Sequence, residues 1–198
     1  MTNFFSLQKW IWLLLLTAAF SSCRKNNSIV PESNAVMQYL NLQNTKLLFE
    51  QSMIIDINKD GTADFLFATL LVGDPVLKRD RKQFYAYSLK AAYLLNDNED
   101  QSPVFNKGEA IADVVNGFQW YEVSAIVLAE KIVPLTGAPF WAGSWKATDH
   151  KYLPVQVKKN EKLYNGWIEL SFDSTAENLI LHKAAICTVP GKPIKAGA

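Results

Sequence analysis

Apolar residues recur at every second position along much of this chain. A strand with that period buries one face and wets the other, whereas a helix would need a period of 3.6. "YAYSLKAAYLL" sets Tyr85, Tyr87, Leu89, Ala91, Tyr93 and Leu95 on one face of a single extended segment. "YLPVQV" alternates Leu153, Val155 and Val157, and "LYNGWIELSFD" answers with Ile168, Leu170 and Phe172. The polar stretch at 158–162 between them predicts a β-hairpin. "DFLFATLLV", residues 64–72, is apolar on both faces, as a central strand is. "NLILHKAAICTV" predicts a further strand after the turn "DSTAEN". Period alone leaves "SNAVMQYLNLQ" and "YEVSAIVLAEKIV" open between helix and strand, and both are read as strands. Turn signals stand at Asp60-Gly61, Gly73-Asp74-Pro75, Lys107-Gly108, Asn116-Gly117 and Asn165-Gly166. Many short strands with such breaks predict an all-β chain. The expected architecture is an antiparallel β-sandwich, jelly-roll-like, with room for one or two short helices.

The chain is 198 residues long with a formal net charge of +1, and no long basic run offers a nucleic-acid surface. Its first 23 residues stand apart. Lys9 precedes an apolar run from Trp10 to Phe20, then Ser21, Ser22 and Cys23. The run is short for a membrane span and suits the core of a secretory signal. Small residues directly before a cysteine resemble the lipobox of bacterial lipoproteins. That resemblance implies cleavage before Cys23, acylation of Cys23 and insertion of its acyl chains into membrane lipid. The expected order is a signal peptide at 1–22, a tether at 23–35 and one β-sandwich domain at 36–198. Arg24 follows the cysteine, and no aspartate is there to signal inner-membrane retention, which resembles outer-membrane sorting in the cell envelope. Cys187 is then the one remaining cysteine, so the exported core must hold without a disulfide.

Within "IDINKDGTADF", Asp56, Asn58, Asp60, Gly61, Thr62 and Asp64 take positions 1, 3, 5, 6, 7 and 9 of a calcium loop. Side-chain oxygens at 1, 3, 5 and 9 and the carbonyl of Thr62 can turn inward, and Gly61 permits the bend. Hard oxygen ligands suit Ca²⁺ over zinc. Position 12 is Phe67 rather than Glu, and the flanks read as strands, so this is no helix-loop-helix hand. The missing ligand predicts weak binding, roughly 10⁻⁴ to 10⁻³ M. The alternative is a solvated turn, since Asp, Asn and Gly favour turns without any metal.

The order of "DINKDGTADFLF", "FNKGEAI", "KYLPVQV", "LYNGWIELSFD" and "AAICTVPGKPIKAG" resembles a family of bacterial secreted proteins of unknown function, found as lipoproteins or with C-terminal sorting signals. The chain departs from the pattern at Asn165, before Gly166, and at Cys187, where an aromatic is common. The resemblance implies an all-β domain and transfers no catalytic residue.

Candidate chemistry is sparse. His150 and His182 are the two histidines and lie far apart in sequence. No G-x-S-x-G, C-x-x-C, H-E-x-x-H or Walker loop is present. Glu109, Glu122, Glu130, Glu161 and Glu169 are the candidates for a glycosidase carboxylate pair, with Glu169 expected to face solvent. In "GAPFWAGSWKATDHKY", Trp141, Trp145 and Tyr152 are candidate contacts for a glycan or protein ligand. The competing reading has these aromatics plug the end of the sandwich. The expected function is an envelope lipoprotein with a calcium-stabilised binding or scaffold domain. A carbohydrate-active hydrolase using a carboxylate pair is the alternative.

Overall fold

The computed structural model describes residues 36–198. The leader, Cys23 and the tether lie outside the described residues. Thirteen strands follow in chain order: β1 (Met37–Leu47), β2 (Ser52–Ile55), β3 (Phe65–Asp74), β4 (Arg79–Ser88), β5 (Ala92–Asn96), β6 (Ala110–Ile111), β7 (Gln119–Glu122), β8 (Ala125–Pro134), β9 (Phe140–Ala142), β10 (Lys151–Lys159), β11 (Lys162–Asp173), β12 (Asn178–Cys187) and β13 (Ile194–Lys195). The described residues contain no helix. The two segments left open by period are both strands, β1 and β8.

One sheet has six strands in the order β1-β12-β11-β10-β5-β7, and another has five in the order β2-β3-β4-β8-β9. Every ladder is antiparallel. The sheets pack as a sandwich and do not close into a barrel. The expected hairpin is β10–β11. Asn160 and Glu161 both take positive φ, 50° and 59°, as a two-residue turn with the twist of its strands requires.

Phe65, Phe67, Phe84, Ile126 and Leu128 of the five-stranded sheet meet Leu153, Val155, Ile168, Leu170 and Phe172 of the six-stranded sheet in the main core. The six-stranded sheet is also covered on its other face. There Tyr152, Trp167, Ala185 and Cys187 pack beneath Ile111, Ile194 and Ala196, where β6 pairs with β13. β11 is therefore buried continuously from Asn165 to Phe172. Its Gly166 is not at a turn, contrary to the dipeptide signal. A Cβ there would stand 2.7 Å from the carbonyl oxygen of Ala185, so close strand packing needs the glycine.

The single segment expected at 85–95 is instead two strands in different sheets. The chain ends β4 at Ser88 and begins β5 at Ala92. Ala91 turns at φ 65°, and Glu122 accepts its N–H at 2.9 Å. The buried face of β4 is Phe84, Ala86 and Ser88, the opposite phase to Tyr85 and Tyr87. The tight packing of Phe84 against Phe172 sets that phase, with ring centroids 5.1 Å apart.

Candidate functional site

The acidic turn joins β2 to β3 at a corner where both sheets meet. Asn58 offers its carbonyl to the side chain of Gln38 on β1 at 3.0 Å, and Lys159 at the end of β10 lies 3.6 Å from the Asp60 carboxylate. Within the turn, Asp56 accepts the N–H groups of Asp60 (3.1 Å) and Gly61 (2.7 Å). Asn58 Oδ1 accepts the Asp60 N–H, and Asp60 accepts the Thr62 N–H. Gly61 sits at φ 88°, a conformation only glycine adopts freely. Asp64 is 4% exposed and accepts the Ile57 N–H at 2.9 Å. Burial raises its pKa to about 6, and the neighbouring Asp56 and Asp60 charges add to the shift against the backbone donors. Slight burial pushes Asp60 upward, but the Thr62 N–H and Lys159 outweigh it and hold Asp60 below the ordinary carboxylate range.

The donors are all oxygens, with spare lone pairs on each carboxylate, which suits a hard divalent cation. Asp56, Asn58, Asp60 and Asp64 supply side chains, and Thr62 supplies a carbonyl. In the present conformation backbone N–H groups occupy part of this capacity. Among the described residues, no group of three or more His, Cys, Asp or Glu side chains is arranged to hold a metal ion.

A second polar cluster brings together residues the sequence leaves scattered. His150 and His182 stack with centroids 4.1 Å apart and planes at 20°. His150 Nδ1 donates to Glu169 at 2.7 Å. An ionised carboxylate only accepts, which places the proton on Nδ1. Glu169 is 6% exposed and also lies 3.5 Å from Lys183 Nζ, so the solvent-facing carboxylate expected there is wrong. His150, Tyr152 and Lys183 close round it on the outer face of the sheet. Glu169 also raises the pKa of Tyr152, after burial.

His182 extends the cluster. Its Nδ1 lies 2.7 Å from Asn44 Oδ1 and its Nε2 lies 2.8 Å from Ser171 Oγ. This Ser171–His182–Asn44 run has the connectivity of a hydrolase triad with an amide in third place. Three facts speak for a structural role. Ser171 is 5% exposed. Its oxygen already accepts the backbone N–H of His150 at 2.9 Å, and its hydroxyl donates to Asp149 at 3.0 Å. A nucleophile so enclosed cannot approach a carbonyl carbon.

The candidate ligand aromatics point inward. Trp145 is 1% exposed in the main core, and its backbone N–H donates to the Leu128 carbonyl at 3.1 Å. Trp141 packs edge-on against Phe172 at 4.9 Å. Tyr152 lies under the second core, edge-on to Trp167 at 5.2 Å. Gly197 presses on its phenol so closely that a Cβ would come within 2.6 Å.

No protein-family model matches this chain, and neither a curated protein nor a solved structure matches it. Functional argument therefore rests on the geometry. Of the candidate glutamates, Glu122 bonds Ala91 and Tyr93, and Glu161 pairs with Lys158. Glu109 caps the Asn106 N–H. Glu130 lines a cleft of about 320 Å³ with Glu99, Asp100 and Arg81. Its carboxylate accepts from Arg81 at 2.7 Å and from Gln83 at 3.0 Å. The Glu99–Asp100 wall follows no recognisable motif, and only the crossing of β5 into the other sheet brings it near β4 and β8.

Proposed function

We propose that this protein is an exported, lipid-anchored module of the cell envelope that binds or scaffolds a partner, with a divalent cation, calcium by its oxygen donors, fixing one corner of its sandwich. The observation that carries the reading is the position of Asp64. A carboxylate removed from water beside two others, at the joint of both sheets, loses repulsion when a cation arrives. The leader and Cys23 supply the anchor, with the outer membrane as its destination. Calcium supplies a cross-link between the turn and its flanking strands. A melting series tests this. At about ten to a hundred times its dissociation constant, calcium adds about 1.4–2.7 kcal/mol, a rise of roughly 3–10 °C for a domain of this size. Equal melting temperatures in millimolar calcium and in chelator would refute the cation. Carbonate washing of membranes bearing Cys23→Ser tests the anchor, which fails if the variant stays bound.

The cleft beside Glu130 favours the second reading, a hydrolase acting on carbohydrate through paired carboxylates. Glu130→Gln then abolishes release of reducing sugar from a susceptible polysaccharide, and an unchanged rate removes the reading.

A further inference from the structure

The β3–β4 hairpin runs on past its outer neighbour. β2 pairs with β3 only as far as Ala68, while β3 and β4 stay paired out to Asp74 and Arg79. The turn at 75–78 closes that hairpin, and the segment at 135–139 joins β8 to β9 beside it. Arg79 pairs with Pro134, and the Leu135 N–H donates to the Lys78 carbonyl at 2.9 Å, so the two tips form one apex. Three large aliphatic side chains stand out from it: Val76 is 86% exposed, Leu135 77% and Leu77 59%.

Backbone and charge constrain what this apex can meet. Pro75, Pro134 and Pro139 bring no N–H, and the N–H groups of Leu77 and Leu135 are already bonded to the Asp74 carboxylate and the Lys78 carbonyl. Such a tip offers a partner strand little to bond. It suits a medium without hydrogen-bond partners, where each unmet backbone group is costly. Residues 75–78 and 134–139 hold one charged side chain, Lys78. Behind the apex, Asp74, Lys78, Arg79 and Asp80 line a depression of about 570 Å³. Asp74 pairs with Arg79 at 3.0 Å, and Lys78 and Asp80 have no ion-pair partner among the described residues. One spare ammonium and one spare carboxylate behind an apolar tip match the layers of a bilayer whose headgroups carry a phosphate and an ammonium.

We propose that the apex enters the surface of a phospholipid bilayer. Val76, Leu77 and Leu135 reach the acyl chains, Lys78 meets lipid phosphate, and Asp80 meets the ammonium of phosphatidylethanolamine. This rests on the anchor reading, which supplies the bilayer. Gln38, near the start of β1, bonds the acidic turn, and β3 spans roughly 33 Å from that turn to the apex. From Cys23 to Val36 the chain can reach at most about 45 Å. One bilayer can therefore hold both the acylated cysteine and the apex.

The test uses the full acylated chain in vesicles of phosphatidylethanolamine and phosphatidylglycerol. A fluorophore is placed on Val76→Cys, or on Glu161→Cys at the acidic-turn end as the control. Cys187 is 1% exposed and does not compete for the label. Withdrawing three aliphatic side chains from water favours insertion about tenfold or more. Iodide in the water should therefore quench the Val76→Cys label less than about a fifth as well as the Glu161→Cys label. Lipid bearing a nitroxide on its acyl chain should quench the Val76→Cys label alone. Adding Lys78→Glu should restore iodide access to that label several-fold and leave the melting temperature unchanged.

Equal iodide quenching at both positions, in a chain that floats with the vesicles, overturns the proposal and leaves the anchor standing. A chain that does not float overturns both. Shielding from iodide without quenching by nitroxide lipid gives the apex to a second copy and overturns the proposal too. A Lys78→Glu chain quenched like its parent contradicts the headgroup contact, and the proposal with it.

Discussion

His150 and His182 lie ring on ring at 4.1 Å, one from the loop before β10 and the other from a bulge in β12. The stack ties four separate stretches of chain. Asn44 of β1 meets His182, Glu169 of β11 meets His150, and Ser171 meets both.

This pairing sets a pH dependence. Burial lowers the pKa of His182, and the His150 charge lowers it further, while Glu169 and Asp149 pull the other way and Lys183 adds to the fall. A histidine with a folded pKa below its unfolded value of about 6.5 gives stability that is complete above that pH and lost as pH falls through the folded value. Denaturant melts should therefore show the parent's midpoint falling relative to that of His182→Gln as pH drops below about 6.5. An identical slope in both proteins contradicts the role given to this residue.

Asp64 predicts the opposite sign. Its pKa is raised to about 6, so its contribution is complete below about pH 4 and lost as pH rises through 6. Without a divalent cation the fold should weaken over that window by about 1–2 kcal/mol after solvent screening. Asp64→Asn removes this slope, because an amide oxygen still accepts the Ile57 N–H and no proton is exchanged. If the cation reading holds, calcium protection grows through the same window in the parent, as a proton leaves the ligand. The same substitution abolishes it. Calorimetric melts at pH 4.5 and 7.5, with calcium and with chelator, separate these outcomes.

Packing predicts the third result. Trp145→Ala empties a side chain from the main core and should cost about 3–5 kcal/mol. Trp141→Ala should cost less, since Trp141 is only partly buried at the margin of that core. Urea melts give both values. A Trp145→Ala protein with parental stability that lost binding on a glycan array would restore these aromatics as ligand contacts.

Local pattern made much of the sandwich legible. The β10–β11 hairpin and its turn follow from alternation around a short polar stretch. β3 was readable as a central strand along its first half, where β2 flanks it. The acidic turn was legible because its chemistry is contained in one short segment. The break after Ser88 was not, because "SLKAA" has no glycine or proline and the turn depends on Glu122 from a distant strand. The phase of β4 was missed because Tyr85 and Phe84 are both apolar enough to be buried.

The side-chain period, the turn dipeptides and the spacing of Asp56, Asn58, Asp60 and Asp64 are properties of neighbouring residues. They act through backbone geometry over a few positions, so the order of amino acids is enough to set them. Which face of β11 stays wet, which histidine meets which, and where β3 is left without a neighbour depend on layers laid over one another. Glu169 shows the difference. Alternation puts it on the outer face of its strand, but His150 from the loop before β10, Tyr152 and Lys183 close round it there and turn a surface carboxylate into a buried one. Burial is settled by what the rest of the chain places on top, and no local pattern carries that information.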